Sequence, residues 1–113
     1  MIYLKADTMI DVKPADIRKI MKVLSGNVPE YEVMAYGQRA TGRANPHAYL
    51  DLAVMSDTPL GEARLNKLSA DFTAASLPFR VETVDWAATG ASYRKEIKRT
   101  AVTLRAPGKK SVK

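Results

Sequence analysis

Three carboxylates and one glycine turn carry whatever chemistry this chain can do. Asp51 stands inside the run Leu50-Asp51-Leu52-Ala53-Val54. A carboxylate in an apolar strand is costly unless it reaches solvent, pairs with a cation or holds a metal ion. Glu82 and Asp85 lie on a later strand-like segment, Phe79 to Val84, or just past its end. Neighbouring strands sit about 5 Å apart, so Asp51 and Glu82 can converge on one magnesium ion. In a regular strand Asp85 falls on the face opposite Glu82, or past the strand end. The alternative reading is ordinary: the exposed face of a half-solvated sheet. Spacing alone leaves both open. Gly37 permits a close backbone approach to a ligand, and Arg39 and Arg43 are cations within reach of phosphate. The stretch Gly37-Gln38-Arg39-Ala40-Thr41-Gly42-Arg43-Ala44 has the glycine spacing of a phosphate loop. The required lysine is Arg43, however, the hydroxyl residue is Ala44, and Asn45-Pro46 interrupts any following helix.

The elements that must position these residues follow from periodicity. Ile17, Ile20, Met21 and Leu24 recur at helical spacing, with Pro14 suited to the first turn and Gly26 to a stop. Tyr31 to Tyr36 reads as a strand ending at Gly37, and Ala48 to Met55 as a second. There Tyr49, Asp51 and Ala53 share one face, with Leu50, Leu52 and Val54 on the other. A helix over 60–75 carries Leu65, Leu68 and Phe72. Phe79 to Val84 gives a third strand, 89–100 a third helix with Tyr93 and Ile97, and 101–104 a last extended piece. The first twelve residues give no clear pattern. The expected fold is α+β, a small mixed sheet covered by helices.

Composition narrows the function. The chain has 113 residues, no cysteine and a single histidine, His47. Disulfides, thiolate nucleophiles and a multi-histidine metal site within one chain are thereby excluded. No apolar run is long enough for a bilayer, so a cytoplasmic protein without a membrane partner is expected. The net charge is +6, but it is unevenly placed. Residues 94–113 hold eight basic residues and one acidic, while residues 1–93 are close to neutral. That basic end suits either a solvated helix face followed by a flexible tail, 106–113, or contact with nucleic acid.

Taken together, Val33-Met34-Ala35-Tyr36-Gly37-Gln38-Arg39-Ala40, Asp51-Leu52-Ala53-Val54, Leu77-Pro78-Phe79-Arg80-Val81-Glu82 and Asp85-Trp86 resemble the minimal nucleotidyltransferases of the DNA polymerase beta superfamily. The resemblance runs from Pro14 to Leu104, and implies a single domain over 1–105 with the nucleotidyltransferase fold. It implies nucleotide binding at Gly37, Gln38 and Arg39, catalytic acids at Asp51 and Glu82, and metal ligands among Asp51, Glu82 and Asp85. Magnesium would be the cofactor of an active member, ATP the nucleotide, and a HEPN-type ribonuclease toxin the partner; homo-oligomers are common in the family.

Two positions depart from the family pattern. The serine after glycine is Gln38, and the first aspartate of the DxD pair is Tyr49. A tyrosine is neutral at pH 7 and a poor magnesium ligand. The expectation is therefore an attenuated or non-catalytic, antitoxin-like binding protein. The alternative is active, magnesium-dependent transfer of AMP to a protein hydroxyl through Asp51 and Glu82. Trp86, Phe79 and Tyr93 are the candidate interface aromatics.

Overall fold

The structure is a computed structural model that describes residues 2–5, 8–42 and 45–108. A short antiparallel hairpin, β1 (Ile2–Lys5) and β2 (Thr8–Ile10), opens the chain. Helix α1 (Pro14–Asn27) follows, then β3 (Val33–Tyr36), a 3-10 turn (Gln38–Ala40) and β4 (Leu50–Val54). Helix α2 (Glu62–Ala74), β5 (Val81–Asp85), α3 (Ala91–Thr100) and β6 (Val102–Arg105) complete the order. The main sheet runs β5-β4-β3-β6. It is mixed as expected: β3 is antiparallel to β4 and β6, and β4 is parallel to β5. A parallel neighbour needs a crossover, and α2 supplies it.

The two faces of the sheet do different things. Val33, Ala35, Leu50, Leu52 and Val54 face α1 and α2, whose Ile17, Ile20, Leu24, Leu68 and Phe72 are buried against them. Full burial of each Val, Leu, Ile or Phe side chain among them stabilises by about 1.5–3 kcal/mol, so this layer holds the fold. The opposite face carries Tyr36, Asp51, Ala53, Glu82 and Val84. Helix α3 covers only part of it, inserting Ile97 among Tyr36, Ala53, Val84 and Trp86. Asp51 and Glu82 lie towards the end of the sheet on this thinly covered face.

Two features differ from the sequence reading. Helix α1 runs through Gly26 to Asn27. It stops there because the Asn27 amide donates to the Val23 carbonyl and to Asp71 on α2, at 2.9 Å each, while Arg64 of α2 donates to the Asn27 carbonyl. The β1–β2 hairpin lies where the sequence shows no pattern. Lys5-Ala6-Asp7-Thr8 has none of the Asn-Gly or Asp-Gly pairs that announce a two-residue turn.

Candidate functional site

Asp51 and Glu82 are direct partners in the parallel β4–β5 ladder, and Tyr36 of β3 is opposite Asp51 on its other side. Register alone therefore brings the two expected catalytic acids side by side on one face. Asp51 is half-buried and Glu82 exposed. Burial, and then the neighbouring Glu82 charge, hold the Asp51 carboxyl above the usual carboxylate range. The same surroundings act on Tyr36. Its hydroxyl shares a 3.0 Å hydrogen bond with the Tyr93 hydroxyl of α3. Burial chiefly, helped by that bond and by both carboxylates, pushes its ionisation well beyond the ordinary tyrosine range.

Gly37 sits against this pair. Its φ is +80°, and a Cβ there would lie 2.7 Å from Asp51 Oδ2, so the turn passes close over the carboxylate only because the residue is glycine. The Gly37 amide donates to the Thr100 hydroxyl at 2.8 Å, which ties the turn to the last residue of α3. Beside it is an open cavity of about 540 Å3, lined by Gly37, Gln38, Asn45, His47, Tyr49 and Asp51. Gln38 is exposed there. The expected nucleotide-binding positions Gly37 and Gln38 thus border one depression next to the acids.

Arg39 does not. The sequence suggests that it faces phosphate, yet it is only 6% exposed. Its guanidinium donates to three backbone carbonyls, Ala48 at 2.9 Å, Asp11 at 2.8 Å and Pro46 at 3.2 Å, and lies 4.2 Å over the Phe79 ring. A buried cation must be fully hydrogen-bonded, and Arg39 meets that need by clamping the 45–48 loop to the end of β2 and to the sheet. Its role is to position the wall that bears Tyr49. Arg43 lies outside the described residues.

Asp85 is also a correction. It is buried on the α2 side of the sheet, away from Asp51 and Glu82. The Ser56 hydroxyl donates to one carboxylate oxygen and the Leu60 amide, at 2.7 Å, to the other. Both oxygens are thus engaged in holding the β4–α2 loop. The alternation along β5 places Asp85 opposite Glu82, so the parity is legible in the sequence and argues against the metal role.

Tyr49 is 46% exposed immediately before β4, at the near end of the acid pair. The Arg80 guanidinium approaches its ring at 5.9 Å and Glu82 Oε2 at 3.6 Å. The sequence reading does not single out Arg80. Its signal is its place two residues before Glu82, which puts both side chains on one face of a strand. Of the three aromatics expected at an interface, Tyr93 is exposed, Phe79 is capped by Arg39, and half-buried Trp86 is flanked by Arg94 and Lys98.

Magnesium takes carboxylate oxygens at about 2.0–2.1 Å and usually keeps waters and substrate phosphates as its other ligands. Asp51 and Glu82, paired across β4 and β5, offer two carboxylates of that kind on one face. Among the described residues no group of three or more acidic, histidine or cysteine side chains is placed to hold a metal, so a second ion has no carboxylate set of its own there.

No family model matches the chain. It is 34% identical over 95 residues to the probable protein adenylyltransferase MntA of Haemophilus influenzae, covering 84% of this chain and 83% of the relative. The chain belongs to the minimal nucleotidyltransferase (MntA) family. Solved structures agree in fold. A crystal structure of a toxin–antitoxin with AMP-PNP matches with a TM-score of 0.68 at 21% identity, over 80% of this chain and 73% of that one. Another, a tri-AMPylated Shewanella oneidensis HEPN toxin in complex with its MNT antitoxin, matches with a TM-score of 0.62 at 19% identity, over 81% and 71%. The mixed sheet that carries Asp51 and Glu82 is thus the scaffold shared with these proteins. No helix among the described residues is long and apolar enough to cross a membrane.

Proposed function

We propose that this chain is the antitoxin of a HEPN-type ribonuclease toxin and neutralises it by binding, with its nucleotidyl transfer attenuated. The observation that carries the reading is the composition of the acid cluster. Two carboxylates lie side by side, one of them is paired with Arg80, and the position to which the family resemblance gives the first DxD aspartate is Tyr49. The relatives support the partner, since the structures that share the fold are toxin–antitoxin complexes. When bound, magnesium would supply charge neutralisation of the nucleotide's phosphates, held by Asp51 and Glu82. The chain's own contribution is the Gly37 turn, which brings backbone against Asp51, and the cavity beside it, which can seat a nucleotide. Loss of one metal-holding carboxylate costs several factors of ten in rate, because positioning and charge stabilisation supply most of phosphoryl-transfer catalysis.

The second reading is active AMP transfer with a single ion, favoured by the direct pairing of Asp51 with Glu82. The acceptor oxygen would bond to the α-phosphorus as the bond to the β-phosphate breaks and pyrophosphate leaves. Asp51, with its raised carboxyl pKa, is placed to take the hydroxyl proton.

The test incubates the purified HEPN toxin with the chain and magnesium–ATP, and reads toxin mass and RNA cleavage together. Inhibition only at equimolar chain, with no added AMP and no loss in the Asp51→Asn variant, is the expected result. Sub-stoichiometric inhibition, accompanied by AMP on the toxin and lost in Asp51→Asn, would establish the second reading instead.

A further inference from the structure

Arg80 lies just before the edge strand β5, two residues ahead of Glu82 and on the same face, with its guanidinium between the Glu82 carboxylate and the Tyr49 ring. The side chain is 70% exposed and the ion pair is long, 3.6 Å. Such a pair contributes little to stability. Its effect is local instead. A divalent ion held by Asp51 and Glu82 must approach a carboxylate beside which Arg80 already stands, and must do so against a like charge.

We propose that Arg80 sets the metal affinity of this site: a tethered cation that occupies Glu82 in the free protein, braced on the Tyr49 ring, and that a divalent ion has to displace. The proposal rests on reading Asp51 and Glu82 as the surviving half of a metal site. Tyr49 then acts twice. It replaces a carboxylate ligand, and its ring face gives the guanidinium a resting place that a flexible, solvated side chain would otherwise lack. Because the ion pair is exposed, displacement is feasible, so the site is weakened towards metal and not closed to it. A single positive charge about 6 Å from a divalent ion in a water-like dielectric weakens binding about tenfold.

The probe is Mn2+ alone, without nucleotide or toxin, with free ion measured by electron paramagnetic resonance on the full chain. Wild type, Arg80→Ala, Arg80→Lys, Tyr49→Leu and the double variant Arg80→Ala/Glu82→Gln are compared, each checked by circular dichroism for folding. Arg80→Ala is expected to bind Mn2+ about tenfold more tightly than wild type. Arg80→Lys is expected near wild type, and Tyr49→Leu two- to threefold tighter, on the order of an exposed cation–π contact. The double variant is expected to lose the gain, since the ion then lacks Glu82. Equal affinity of wild type and Arg80→Ala overturns the proposal. So does a gain that survives Glu82→Gln, or an Arg80→Ala protein that binds no Mn2+ at millimolar concentration. These outcomes are separate from the toxin assay. Efficient AMP transfer by wild type removes the binding-only reading and leaves the Mn2+ ratio standing, whereas an unchanged ratio leaves toxin binding untouched.

Discussion

Replacing Gly37 by alanine tests the geometry at the centre of the site. The residue has φ +80° and ψ −155°, a region that is essentially glycine-only and costs other residues about 1–3 kcal/mol. The added Cβ would also meet Asp51 Oδ2 at 2.7 Å. Only the end of a side chain has to move, so the carboxylate swings instead of the backbone breaking. On this face, however, its cross-strand neighbour is Glu82, and displacement in that direction brings like charges together. A control separates the two costs. Gly61 has φ +89° and ψ 157°, almost the same backbone region, with nothing within 4 Å of the place a Cβ would occupy. Gly61→Ala therefore reports the backbone cost alone, about 1–2 kcal/mol, and Gly37→Ala is expected to cost about 1 kcal/mol more. Urea titration measures both, and the Gly37→Ala melting midpoint should fall by on the order of 10 °C. Mn2+ binding should be lost in Gly37→Ala and retained in Gly61→Ala. Equal stabilities for the two variants, with Mn2+ binding intact in both, would refute the close approach of Gly37 to Asp51.

Other outcomes follow from groups around the site. Asp85→Ala should cost about 2–3 kcal/mol, because it strands the Leu60 amide and the buried Ser56 hydroxyl. It should leave Mn2+ affinity unchanged, which no metal ligand would do. Arg39→Met should lower stability by about 3 kcal/mol or more by unpairing three carbonyls, and limited proteolysis should then cut within 45–48. Tyr36 is expected to give an alkaline signature. Its folded pKa lies above its unfolded value, so the native state holds a proton that the unfolded chain releases above about pH 10. Stability should therefore fall as pH rises past that value. In Tyr36→Phe the fall should be smaller, although the variant is about 1 kcal/mol less stable at pH 7 for want of the Tyr93 bond. Chemical melts at pH 7 and pH 11 check both signs.

Much of this arrangement is legible in the residues themselves. Ile17, Ile20 and Leu24 mark the buried face of α1, and the alternation around Asp51 separates the site face from the core face of β4. The pairing of Asp51 with Glu82 follows from treating both segments as neighbouring strands. The burial of Arg39 is not legible, because it depends on Phe79, forty residues later, and on carbonyls whose directions no side-chain pattern records. Arg80 is hidden for a related reason. Its contact with Tyr49 arises from lateral strand order, a tertiary property, while its sequence position looks like any exposed charge beside an edge strand. The hairpin at the start escapes notice because its strands are four and three residues long, too short for periodicity to register.

The bond from the Gly37 amide to Thr100 joins residues 63 apart, and β3 obtains one neighbour, β6, only after α3 has been made. In kinetic terms, the helical layer of α1 and α2 can condense on β3–β4 with more local contacts, whereas the Gly37 turn waits for its most distant ones. Loop closure over such separations is slow relative to local pairing. A chain still missing its last helix would therefore hold Asp51 and Glu82 in register on β4 and β5 yet lack the Thr100 hydroxyl that anchors the Gly37 turn, so the turn over Asp51 is the last part of the site to be fixed.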